Sequence, residues 1–167
     1  MIARYHLLAE RLRAELQQLE RIVTRAEAAL LRARQQPADQ DYFLASAALD
    51  LHGFYSGVER LLEAIASDVD GSRPSTPQWH RDLLAQMTLS VARVRPAVLT
   101  TETREALLDY LEFRHIVRNV YTFNFRPARV AELVAGLRTA FDLTRRDLLV
   151  FADALSDLST ADEDASP

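Results

Sequence analysis

No cysteine and no lysine occur among the 167 residues, and all 20 basic side chains are arginine. Without cysteine there is no disulfide framework, no thiol nucleophile and no thiolate-bound zinc. Without lysine there is no Schiff-base chemistry and no phosphate-loop lysine. Glycine (4) and proline (6) are scarce, and neither a glycine-rich phosphate loop nor a GxSxG elbow is present. No apolar run approaches the ~20 residues of a membrane span. The N-terminal MIARYHLLAERLRAE carries charges through what would be the apolar region of a signal peptide. These absences predict a soluble, cytoplasmic protein with no membrane association. A formal net charge of −4 argues against general polyanion binding, so any nucleic-acid contact would use a local basic patch.

What is present favours helix. Apolar residues make up 49% of the chain, enough for a core, and Ala, Leu, Arg and Glu, all good helix formers, dominate. From Ala3 to Arg34, Leu8, Leu12, Leu16, Leu19, Val23, Ala26 and Leu30 recur at spacings of three and four, as on an amphipathic helix. QQPADQ breaks this pattern, with Asp39 or Asp41 available to cap a second helix from Tyr42 to Ser67. Gly53 and Gly57 lie inside that helix at a cost in propensity, which suggests close approach of a neighbour. DVDGSRPSTP (68–77) reads as a loop, followed by a shorter helix from Gln78 to Val94 that carries Trp79, Leu83, Leu84, Met87 and Val91. Thr100 or Thr101 can cap a fourth helix that reaches Phe123, and Pro127 suits the first turn of a fifth that runs to Leu158. No strand alternation and no internal repeat is evident. The expectation is an all-α antiparallel bundle of four long helices and one short one over residues 1–158, with a disordered acidic tail at 159–167.

The fourth helix contains FRHIVRNVY (113–121). At about 100° per residue, Arg114, Arg118, Thr122, His115, Asn119 and Glu112 share an arc of roughly 160°. Phe113, Ile116, Val117, Val120, Phe123 and Tyr110 occupy the opposite arc, and Tyr121 falls at the border. Arg114 aligns with Arg118 and His115 with Asn119 at the i, i+4 spacing. Two guanidiniums can grip one phosphate through charge-assisted hydrogen bonds, and an imidazole can move a proton near neutral pH. The same arc also suits an ordinary solvated helix face. On the second helix His52, Ser56, Glu59 and Glu63 form a polar stripe that can line a cleft and orient an arginine from a neighbouring helix, or simply face solvent. His6 and His80 have no nearby ligand partners, and HExxH and paired ExxH motifs are missing, so no metal or cofactor is expected.

The helix order, DLHGFYSGVERLLEAIA (50–66) and YLEFRHIVRNVY (110–121) resemble HepT-like proteins of the HEPN superfamily over residues 3–155. These are the toxin-type partners of minimal nucleotidyltransferase antitoxins in type VII-like pairs. The family motif is an arginine, a polar residue, three more residues, a histidine, any residue and a tyrosine. Arg114, His115 and Tyr121 match it, and Asn119 stands where the family has histidine. A register that starts at Arg118 would instead put Phe123 and Phe125 at the histidine and tyrosine. The resemblance implies a homodimeric, metal-independent endoribonuclease with Arg114, His115 and Asn119 at its centre and Arg114 and Arg118 on the RNA phosphate. It also implies silencing by AMP transfer (AMPylation) to Tyr121. Asparagine cannot exchange a proton near neutrality, and His115, one turn away, is a candidate substitute. A non-catalytic module that binds a nucleotidyltransferase or nucleotide is the alternative implied by Asn119, and a purely structural bundle is a third.

Overall fold

The computed structural model describes residues 2–119 and 126–164, with side chains described over 3–117 and 126–158. Among the described residues five helices carry the fold: α1 (Ile2–Gln35), α2 (Gln40–Ile65), α3 (Trp79–Met87), α4 (Thr101–Asn119) and α5 (Pro127–Asp164). Among the described residues the only β pairing is an isolated Val91–Arg95 bridge, and no helix is long and apolar enough to cross a membrane. The all-α bundle expected from composition is therefore what the chain forms.

The leucine stripe of α1 is its buried seam, with Leu8, Leu12, Leu16, Leu19, Val23, Ala26 and Leu30 all in the core. It faces α2 on one side and α5 on the other. Cross-contacts fix the sense of both pairings. Arg25 reaches Asp50 and Arg4 reaches Asp68, so α2 runs back along α1. Arg13 meets Asp153, Arg145 meets Glu20 and Arg138 meets Glu27, so α5 does the same. Apart from Arg25–Asp50, whose carboxylate is buried, these pairs are largely exposed and add little stability singly; burial of the apolar seam supplies the driving force. Gly57 marks a close approach of α1 and α2, because a Cβ added there would lie 2.5 Å from Leu19 Cδ2. Gly53 is not tight, since the same addition meets only Ile22 Cδ1 at 3.9 Å.

Pro37–Asp39 form a single 3₁₀ turn, and Asp39 sits at the N-cap of α2 without a side-chain capping bond. At its other end α2 widens into a π turn, Ala66–Asp70, that stops at Gly71. Gly71 has φ 65°, the left-handed conformation that glycine adopts without steric cost. This wider turn delivers Asp70 to Arg95, whose guanidinium is buried and also donates to the carbonyls of Gln86, Leu89 and Pro96.

That buried pair accounts for a correction. The helix expected to reach Val94 ends at Met87. Thr88 closes the last turn through its hydroxyl to the Ala85 carbonyl, and Arg93 takes φ 62°. The chain then doubles back through the Val91–Arg95 bridge to bring Arg95 onto Asp70. Helical periodicity does not register a long-range buried ion pair of this kind.

Thr100 caps α4: its hydroxyl accepts from the Thr103 N–H at 3.2 Å. Asp147 of α5 supports the same end, accepting from the Thr100 N–H at 2.8 Å and from both threonine hydroxyls. A carboxylate there meets the positive end of the helix dipole. Burial alone would raise the Asp147 carboxyl, but the bonds from Thr100, Thr103 and Arg146 outweigh it and hold it below the usual aspartate value. The α5 helix continues to Asp164, into the segment read from sequence as a tail, and residues 165–167 lie outside those described.

Candidate functional site

On α2, Glu59 follows buried Tyr55 by four residues and precedes buried Leu62 by three, so helical geometry turns it toward the interior. Its side chain is only 5% exposed. A carboxylate so placed is costly unless it is paired and hydrogen-bonded, and two groups satisfy it. Arg114 Nη1 of α4 lies 2.8 Å from Glu59 Oε1. His80 Nδ1 of α3 lies 2.6 Å from Oε2. Three helices thus converge on one carboxylate; α2 and α4 also meet through the Phe54 and Tyr110 rings, packed edge to face.

Arg114 is accordingly not on the solvated side of α4. Its side chain is 17% exposed, while Ile116, assigned by the helical wheel to the packed arc, is 55% exposed. The correction follows from how α4 docks. Leu107, Tyr110, Leu111 and Phe113 bury against the bundle, and Glu112, His115 and Ile116 are left exposed along the cleft beside α3. Arg114 Nε is buried with no hydrogen-bond partner among the described residues. The neighbouring Tyr55 phenol is pushed well above its ordinary range, chiefly by burial and further by Glu59, with Arg114 opposing.

An open cleft of about 590 Å³ lies between α3 and α4, lined by Pro77, Gln78, His80, Arg81, Leu111, Glu112, His115 and Ile116. Arg81 and Glu112 pair at 2.6 Å, both largely exposed. His80 stacks on Trp79 with ring centroids 3.6 Å apart and planes 30° from parallel. That stack and the bond to Glu59 hold the imidazole from two sides. Arg114 Nη1 also lies 3.3 Å from His80 Nδ1. We read this as proximity rather than a hydrogen bond. A carboxylate oxygen only accepts, so the ring nitrogen 2.6 Å from Glu59 must carry the hydrogen.

Of the residues singled out in the sequence, Arg114 and Glu59 are brought together, and His115 lines the cleft. His52 is half-buried seven residues (two turns) before Glu59 and is not among the lining residues. Arg118 and Asn119 occupy the last turn of α4, with side chains outside those described, and Tyr121 lies outside the described residues altogether. Sequence reasoning missed His80, which has no motif around it. It also split its reading of Glu59 between cleft and solvent, although the i−4 and i+3 apolar neighbours signal burial. Among the described residues no three His, Asp or Glu side chains gather as metal ligands would.

The model of a family described as HepT-like protein matches residues 46–155, a span that contains Glu59, His80 and the whole of FRHIVRNVY. No curated protein and no solved structure matches the chain.

Proposed function

The chain belongs to the HepT-like proteins of the HEPN superfamily, and on that premise we propose that it is the toxin-type component of a toxin–antitoxin pair. In this reading it is a cytoplasmic, homodimeric, metal-independent endoribonuclease whose cognate minimal nucleotidyltransferase silences it by transferring AMP to Tyr121. The reaction is attack of a ribose 2′-hydroxyl on the adjacent phosphorus with departure of the 5′-oxygen. A 2′,3′-cyclic phosphate and a 5′-hydroxyl result, with no metal needed.

The observation that carries the reading is Arg114 fixed by Glu59 at 2.8 Å beside a cleft lined by two histidines. A guanidinium held in place can meet the charge that develops on the phosphorane without reorganising. Arg118, one turn on, adds a second cation for the RNA phosphate. AMP on Tyr121, three residues after Arg118 in sequence, would add a phosphodiester and bulk, opposing RNA by charge and by volume.

Cleavage of RNA in EDTA tests the proposal. Wild type should yield cyclic-phosphate ends, and Arg114→Ala should lose roughly 10²–10³-fold, the usual cost of removing one transition-state donor. Co-expression with the transferase should add the mass of AMP to wild type but not to Tyr121→Phe.

Two features favour a second reading. Arg114 already has a carboxylate partner, and Asn119 replaces the family's histidine, as suits a module that binds its transferase or a nucleotide without cutting RNA. A silent wild type that gains cleavage on Asn119→His would select that reading.

A further inference from the structure

His80 is the unassigned group that bears most directly on the cleft. Nothing in its sequence neighbourhood marks it, yet it is held more firmly than an incidental surface histidine. Its ring lies against Trp79, its Nδ1 donates to a buried carboxylate, and its side chain is only 17% exposed. The hydrogen on Nδ1 is fixed by the 2.6 Å contact to Glu59, so protons can come and go only at Nε2, across the ring. No hydrogen bond to Nε2 is made among the described residues, and His80 contributes to the cleft wall alongside His115. A carboxylate that fixes the tautomer of an imidazole and steadies its protonated form is a recurrent arrangement for proton transfer. The groups facing the ring are Glu59 from α2 and Arg114 from α4, with Arg81, Glu112 and His115 along the same cleft.

We propose that His80 is the catalytic base of this site, doing from α3 what Asn119 cannot do from α4, with Glu59 as the positioning residue that links it to Arg114. The proposal rests on the nuclease reading above. In the step, Nε2 takes the proton of the ribose 2′-hydroxyl as the 2′-oxygen bonds to phosphorus. The bond from phosphorus to the 5′-oxygen breaks, that oxygen takes a proton from water, and the imidazolium returns its own proton to solvent. No metal or co-reactant enters. Glu59 thereby holds both parts of the machinery, the charge-stabilising Arg114 through Oε1 and the proton carrier through Oε2.

His80→Asn is the informative variant, because an asparagine amide can still donate to Glu59 from near the Nδ1 position while the titrating nitrogen is lost. With RNA in EDTA, His80→Asn should melt like wild type and keep its KM. Its kcat should fall at least a hundredfold, within the ~10²–10⁴ of a positioned acid–base group. The fall in wild-type rate toward acid pH, where the base is protonated, should flatten in the variant. His80→Ala should recover part of its rate when imidazole is added to the buffer. Undiminished kcat in His80→Asn, or an unchanged pH profile, would overturn this inference alone and leave the nuclease standing. A wild type that cuts no RNA would overturn the nuclease reading and the role of His80 with it.

Discussion

Removing Glu59 tests the physical basis of the site without any assumption about RNA. In Glu59→Leu, Arg114 loses a charged partner at 2.8 Å and the His80 Nδ1–H loses one at 2.6 Å. Hydrogen bonds to charged groups contribute about 1.5–3 kcal/mol each, and breaking a buried ion pair costs about 3–5 kcal/mol. Two factors reduce this. Burial of the glutamate itself is relieved, and Arg114 and His80 are each 17% exposed, so water can reach them. We therefore expect a loss of about 3 kcal/mol, which for a chain of this size lowers Tm by roughly 6–12 °C. Arg114→Leu should cost a similar amount by stranding the carboxylate. The double variant should be less damaging than the sum of the singles, because an apolar replacement of both partners leaves no uncompensated charge. Urea denaturation of the four proteins measures the cycle. Singles within 0.5 kcal/mol of wild type, or strict additivity in the double, would show that the carboxylate does not hold Arg114, and the account of a preset guanidinium would fail with it.

Two further expectations probe the frame around the site. Gly57→Ala should destabilise by about 1–2 kcal/mol, since overpacking against Leu19 outweighs the roughly 1 kcal/mol gained in helix propensity; Gly53→Ala, with only ordinary contact at 3.9 Å, should be neutral or stabilising, and thermal melts compare them directly. The hydrogen bonds that lower the Asp147 carboxyl contribute stability that is fully present above the usual aspartate value of 3.8 and is lost as pH falls through the lower folded value. Asp147→Asn should remove that part of the acid dependence in melts taken from neutral pH downward, at the cost of a weaker α4 N-terminus.

How much of this was legible beforehand differs element by element. The α1 seam was readable residue by residue, because each leucine obeys one local period and packing merely satisfies it. The cap of α4 was readable only as Thr100 or Thr101, and the choice of Thr100 goes with its bonds to Asp147 of α5. The end of α3 was not, because Asp70 and Arg95 are 25 residues apart and their pairing stops the helix from outside. Gly57 was readable as a close approach and Gly53 was not distinguishable from it, since only the neighbouring side chain, Leu19 or Ile22, separates the two. The helical wheel of α4 placed Arg114 on the same side as His115, but how α4 docks decides which of them turns inward.

The sequence by itself determined an all-α chain without cysteine or lysine chemistry and the breaks that separate α1 from α2 and α2 from α3. Those properties are local or compositional: they follow from propensity, period and residue type. Only the tertiary structure decided that Glu59 is buried, that Arg114 serves it, and that His80, 34 residues before Arg114, shares the same carboxylate. No period links α2, α3 and α4. A buried charge must be neutralised by whatever the fold brings within 3 Å, and that selection exists only once the three helices are packed.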